Sequence, residues 1–243
     1  MLLHPSGGLL YHLRALRYRK PLWKPFSTQL EPWLSEAFRG CSELLVVGPS
    51  AGYCLSSRFL KQFNKIYFIE PDPIARLLFT GRSLKWPHGA TAKSIASTHA
   101  ILDPSPMRFL KILDSMPRAG VLFSNILGQL SLYLDDFDEA SKRPWVLNPG
   151  AIETLLENRT WASFHDRLSG PGNVLLEEFV SEAGALSNDV LASFFFTQAP
   201  KGLADHDCLL FPKARNVQYW AWELTPGRFH LIEGLKNKAN GAL

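Results

Sequence analysis

The chain has little cysteine: Cys41, Cys54 and Cys208 are the whole complement of its 243 residues, widely spaced and without a C-x-x-C pair. An odd, scattered set excludes a disulfide framework and a thiolate zinc site, so all three read as buried apolar residues. Asp205-His206-Asp207 is the remaining metal-like cluster. Three adjacent side chains do not converge easily on one ion, so that stretch reads as a solvated loop and no metal is expected. No run approaches the roughly 20 apolar residues of a membrane helix. His4 and Pro5 precede a basic segment where a signal peptide would need an apolar block, so a cytoplasmic location is expected. Repeats, low-complexity tracts and linkers are also missing. At 27.3 kDa and 46% hydrophobic residues, the chain is sized for one domain with a substantial core.

The net charge of +4 is modest, but Arg14, Arg17, Arg19, Lys20 and Lys24 crowd one segment together with Tyr11, Tyr18, Trp23 and Phe26. Such interleaving suits a nucleic-acid backbone or another anionic surface. It also suits a solvated arm whose aromatics pack on the domain. Residues 1–26 are read as a basic N-terminal arm and 27–243 as a single domain, with nucleic acid a candidate partner through the arm.

Periodicity supplies an alternating order. Leu30, Trp33, Leu34, Ala37 and Phe38 recur at helical spacing, with Ser27 or Thr28 as N-cap and Gly40 as stop. Strands are expected at 43–47, 65–69, 91–95, 120–125 and 161–165. Asp72-Pro73 opens a helix with an N-cap followed by proline. Helices are also expected after Gly52, over 107–113 and over 173–185, and 166–170 reads as a loop. Two aromatic β-runs, 217–224 and 229–233, joined through Pro226-Gly227, form an antiparallel hairpin. Strand and helix alternating in this way require a parallel sheet.

The most informative stretch is Val46-Val47-Gly48-Pro49-Ser50-Ala51-Gly52, which ends the first strand, with Glu70 at the end of the second, 22 residues after Gly48. A glycine turn lets backbone approach a ligand closely, and that distance delivers a carboxylate to a ribose hydroxyl, which together argue for a nucleoside-bearing cofactor. The same residues spell Gly48-x-Ser50-x-Gly52, the nucleophile elbow of α/β-hydrolases. In that reading Ser50 attacks, with His206 or His230 as base. Elbows normally follow several strands, whereas here only one precedes Gly48. An NAD dehydrogenase is disfavoured because its third glycine would fall on Tyr53.

On these residues the chain resembles the class I S-adenosylmethionine-dependent methyltransferases. The resemblance spans roughly residues 27–234 and implies a Rossmann-like, seven-stranded, mostly parallel α/β sheet with a C-terminal antiparallel hairpin. It implies S-adenosylmethionine as cofactor and methyl transfer to an unidentified acceptor. In the family an acid and three alternate glycines mark the first turn. The matching positions here are Val46, Gly48, Ser50 and Gly52, so the acid is missing and one glycine is serine. By the same resemblance Glu70 holds the ribose hydroxyls, while Ser124 and Asn125 line the methionine side and the substrate mouth. Ser124-Asn125-Ile126-Leu127 is not an Asn-Pro-Pro-Tyr-type tetrapeptide, which argues against methylation of a base amine or a glutamine amide. His165 and Asp166, expected to face the same crevice, are the candidate base and orienting carboxylate. The alternative is a non-catalytic binding module of the same fold.

Overall fold

Five strands pair side by side in parallel and set the frame: β1 (Glu43–Val47), β2 (Lys65–Ile69), β3 (Thr91–Ala96), β4 (Ala119–Ser124) and β5 (Trp161–Pro171). They belong to a computed structural model that describes residues 8–83, 91–96, 101, 103, 105–129, 145–148, 150–196, 202–206 and 216–237. β1 and β4 are apolar on both faces because each lies between neighbours and is covered above and below. Beyond β5 the sheet turns antiparallel through β9 (Arg228–Asn237), β8 (Val217–Thr225) and β6 (Glu178–Ser181). The two-residue β7 (Ala204–Asp205) pairs with the far half of β5.

The resulting order, β3-β2-β1-β4-β5-β9-β8-β6, reverses direction between β1 and β4. That is the topological switch point of a Rossmann-like sheet, where the C-terminal ends of the strands leave a crevice. Among the described residues the sheet has nine strands where seven were expected. The two additional strands are β6 and β7, the latter at the start of the stretch read as a solvated loop. Residues 178–181 pair with β8 as a strand in place of the helix expected over 173–185, and Leu175 and Leu176 there are exposed, so their helical spacing buries nothing. The segment 166–170 continues β5 and pairs with β9 in place of a loop. A helix not read from the sequence covers Asn188–Phe195, capped by Ser187.

Even-numbered residues of β1, β4 and β5 (Leu44, Val46, Leu122, Ala162, Phe164) share one core layer with Trp220, Trp222 and Ile232 of the hairpin. Odd-numbered ones (Leu45, Val47, Val121, Phe123, Trp161) share the other with Tyr219 and Leu231. The two layers follow from the period of two along a strand.

The N-terminal segment is part of this core and not a separate arm. α1 (Gly8–Tyr18), a π-turn (Arg19–Trp23) and α2 (Lys24–Ala37) run without a break across the even-numbered face. Pro21 and Pro25 lack the N–H groups that would continue the α-helical ladder, and the backbone widens into the π-turn there. Ala15, Trp23, Phe26, Leu30 and Trp33 are buried, and the Trp23 indole donates to the Leu224 carbonyl at 2.9 Å. The aromatics of this segment pack on the domain, Trp23 and Phe26 fully and Tyr11 and Tyr18 partly buried. Arg17, Arg19, Lys20 and Lys24 remain exposed.

α3 (Ser57–Leu60), α4 (Pro73–Ser83) and α5 (Met107–Asp114) complete the α/β alternation. Cys54 is buried and Cys41 half-buried. Cys208, Asp207 and the turn signal at 86–89 lie outside the described residues. Among the described residues no helix is long and apolar enough to cross a membrane.

Candidate functional site

The turn after β1 is held from three sides. Gly48 and Gly52 adopt φ of 68° and 67°, left-handed values that glycine takes without steric cost. A Cβ at Gly48 would stand 2.9 Å from Cβ of Ile126, which follows β4, and one at Gly52 would stand 2.6 Å from the Phe79 ring of α4. Arg82, also on α4, donates to the Ala51 carbonyl at 2.9 Å, to the Gly52 carbonyl, and to the Leu55 carbonyl at 3.1 Å.

Glu70, buried at the tip of β2, closes the third side. Its Oε2 accepts from the Ser50 backbone N–H at 2.6 Å and its Oε1 from the Asp72 N–H at 2.9 Å. Burial pushes its carboxyl up to about 7, with the two backbone N–H groups and Arg76 pulling the other way. Asp72 caps α4 through Oδ1, accepting from Ile74 N–H at 2.8 Å.

From above, α1 sits on this turn. Gly8 N–H donates to Asp72 Oδ2 at 3.0 Å, the same oxygen lies 3.4 Å from His12 Nε2, and His12 Nδ1 pairs with the Tyr53 hydroxyl at 3.0 Å. The Tyr11 phenol hydrogen-bonds the Ser50 side chain and lies within electrostatic reach of Cys54, Tyr53 and Asp166. Burial, with those neighbours, raises it well above the ordinary phenol value. Tyr11 thus packs α1 against the glycine turn. None of these α1 contacts was read from the sequence, because a lone Tyr-His pair on an amphipathic helix carries no spacing signature.

At the ends of β4 and β5, backbone strain marks the crevice. Ser50 (φ 51°) and Asn125 (φ 53°) are two of the three described non-glycine residues in the left-handed region. Asn125 is fixed by its neighbours: its side-chain carbonyl accepts from Asp166 N–H at 3.0 Å and its amide donates to Asp166 Oδ2 at 3.3 Å. Ser124 is buried beside it.

The candidate pair His165 and Asp166 is separated by the strand itself, since consecutive residues point to opposite faces. His165 lies fully buried on the odd-numbered face, with Nδ1 3.0 Å from Ser163 Oγ and Nε2 3.3 Å from Glu233 Oε1. There it belongs to a buried network in which Arg167 pairs with Glu233 and the Tyr219 hydroxyl donates to Glu233 Oε2 at 2.9 Å. Burial alone would raise the Glu233 carboxyl, but His165 and Arg167 outweigh it and hold it below the ordinary value. His165 is therefore corrected from crevice base to interior ion-network member.

Asp166 lies buried on the opposite, even-numbered face, with partners not assigned to it from the sequence. Its Oδ1 lies 3.1 Å from His230 Nδ1, and His206 completes a group whose ligand-capable atoms lie within 4.8 Å of one another. The His206 and His230 rings stack with centroids 6.1 Å apart, and Ser169 Oγ lies 3.0 Å from His206 Nε2. Burial opposes charge on Asp166, but His230 and His206 prevail and its carboxyl stays below the ordinary range. Burial lowers His206, which favours neutral imidazole at pH 7. Even-numbered placement of Asp166, Trp222 and His230 on paired strands was the signal that brings them together. It was hidden while 166–170 read as a loop.

A groove of about 1030 Å³ lined by Glu31, Ser35, Gly40, Cys41 and Arg58 lies beside the start of β1. It is at the wrong end of the strand for a switch-point site.

No family model matches the sequence, and no curated protein does. Among solved structures, the chain is similar to an O-methyltransferase from Bacillus cereus in complex with SAH, at 9% identity and TM-score 0.46, covering 97% of this chain and 94% of that one. It is similar to cofactor-bound Rv0187 from MTB at 11% identity and TM-score 0.42, covering 95% and 91%. It is also similar to WbdD at 10% identity and TM-score 0.44, covering 85% of this chain. The chain spans 35% of WbdD and 65% of the methyltransferase domain of bacterial CtHen1. The strand order, a 3-2-1-4-5 parallel half followed by an antiparallel hairpin, is a Rossmann-like arrangement.

Proposed function

We propose that the chain is an S-adenosylmethionine-dependent methyltransferase whose cofactor lies across the switch point between β1 and β4. The observation that carries this reading is the meeting of Glu70 with the glycine turn at Ser50. Each Glu70 oxygen accepts one backbone N–H and keeps a lone pair for a ribose hydroxyl. Gly48, Ser50 and Gly52 admit the cofactor's close approach, Ser124 and Asn125 serve its methionine end, and Asp166 stands on the acceptor side. A sulfonium methyl is already electrophilic, so the protein's work is alignment of an acceptor and management of its proton.

A serine hydrolase fits less well. The described histidines are engaged away from Ser50: His12 with Tyr53 and Asp72, His165 with Ser163 and Glu233, His206 with Ser169, and His230 with Asp166. The non-catalytic reading has one observation in its favour: Val46, where the family carries an acid, is fully buried among Leu44, Leu122 and Phe68.

Calorimetric titration with S-adenosylhomocysteine tests the proposal. Binding that weakens about 10- to 100-fold in Glu70→Ala supports it, a scale set by a charge-assisted hydrogen bond of about 1.5–3 kcal/mol. Undetectable binding to a folded wild-type chain sinks it. Binding without any transfer of labelled methyl to cell-extract acceptors selects the binding module.

A further inference from the structure

We propose that Asp166, His206 and His230 form a binding site for one divalent transition-metal ion at the acceptor side of the crevice. Three separate segments of the chain converge there. Asp166 comes from the middle of β5, His230 from β9 and His206 from the residue after β7, which pairs with β5. Strand pairing brings the ligand-capable atoms of residues so far apart in sequence within 4.8 Å of one another.

The buried polar atoms point the same way. Asp166 Oδ1 and His230 Nδ1 are shielded from solvent and face each other at 3.1 Å as an ion pair. A cation seated between these two and His206 fits the spacing, since adjacent ligand atoms of one ion stand about this far apart when each bond is about 2.0–2.2 Å. The outer contacts a coordinating set needs are also in place: Asn125 holds the other Asp166 oxygen at 3.3 Å, and Ser169 Oγ meets His206 Nε2 at 3.0 Å.

Two imidazoles and one carboxylate select zinc, iron(II), manganese or cobalt over magnesium and calcium, which prefer all-oxygen shells. Three protein ligands leave positions open for water or for an oxygen of the acceptor. Coordination there would lower the pKa of an acceptor hydroxyl without a side-chain base. This last step, an oxygen acceptor, rests on the methyl-transfer reading. The metal site does not.

The test uses untagged full-length protein stripped with a chelator and titrated with Co²⁺, followed by its visible d–d absorption and by calorimetry, with no S-adenosyl ligand present. One equivalent bound at micromolar affinity or tighter is expected, with a rise in Tm on adding metal. Asp166→Asn, His206→Ala and His230→Ala should each weaken binding at least 10-fold, while His12→Ala, which removes a histidine outside the cluster, should not. Absence of a stoichiometric site, or equal affinity in wild type and the folded His206 and His230 variants, overturns the proposal. If a cluster variant fails to fold, the wild-type spectrum decides: a ligand-field pattern with nitrogen donors supports the site, and that of hexaaqua cobalt rejects it. Because S-adenosylhomocysteine affinity is measured separately, failure of one reading leaves the other standing.

Discussion

Glu70 Oε2 accepts the backbone N–H of Ser50 at 2.6 Å, so the acid that ends β2 fixes the turn that ends β1. Two neighbouring parallel strands are thereby locked at their tips. The lock uses a residue whose left-handed φ of 51° is strained for serine, and the carboxylate contact helps offset that strain.

On the proposed reading, Glu70 should make stability and ligand affinity respond oppositely to pH. Its folded value of about 7 lies above the ordinary 4.5, so the native state holds this proton more tightly than the unfolded chain. The contribution is fully present below about pH 4.5 and is lost as pH rises through about 7. At about 1.4 kcal/mol per pH unit the loss is of order 3 kcal/mol. Denaturant melts of wild type and Glu70→Gln across pH 4.5–8 should diverge by that amount. Affinity for S-adenosylhomocysteine should rise over the same range, because ribose hydroxyls donate to the ionised form.

Gly52→Val should abolish cofactor binding and destabilise the fold. Its Cβ would meet Phe79 at 2.6 Å and Arg82 Nη1 at 2.9 Å, in a backbone with φ of 67°. Gly40, at φ 91° with open space around it, isolates the backbone term, so Gly40→Ala should cost only about 1–2 kcal/mol. Ser50→Ala removes the Tyr11 hydrogen bond and should cost about 1 kcal/mol while leaving binding measurable. Thermal melts alongside titration separate these effects.

The parallel half was legible because β1, β2 and β4 are apolar runs bounded by glycine, proline or asparagine, and Asp72-Pro73 is an unambiguous helix start. The hairpin was legible from its aromatics. What escaped is long-range. Pairing with β9 turns 166–170 into strand and moves His165 away from Asp166, and only that pairing brings His230 and His206 to Asp166. Likewise Leu175, Leu176, Phe179 and Val180 have helical spacing, but pairing with β8 overrides it.

Trp23 should matter more than any charge around it. Its ring lies 5.2 Å from Trp222 and 5.5 Å from Tyr11, and its N–H satisfies the Leu224 carbonyl. Trp23→Ala should cost about 3–5 kcal/mol. Deleting residues 1–24 should likewise lower Tm sharply, and should weaken S-adenosylhomocysteine binding because Tyr11 and His12 contact the turn. A truncated chain with unchanged Tm and affinity would return this segment to the status of an arm.

The interior network yields a prediction about which change is worse, one partner or both. Arg167 and Glu233 are almost wholly buried and paired, and Arg167 also donates to the Leu186 carbonyl at 3.0 Å and to Asn188 Oδ1 at 2.9 Å. Removing one charge leaves the other desolvated and unmatched, so Arg167→Met or Glu233→Leu alone should cost about 3–5 kcal/mol. The double variant should cost less than either single one, since the apolar pair leaves no orphaned charge between β5 and β9. His165→Asn, a change within this network, should lower Tm while leaving S-adenosylhomocysteine affinity within about twofold, the coupling expected of distant sites. A double-mutant cycle by chemical denaturation measures the first point. A large loss of ligand affinity in His165→Asn would show that the odd-numbered face of β5 reaches the crevice after all.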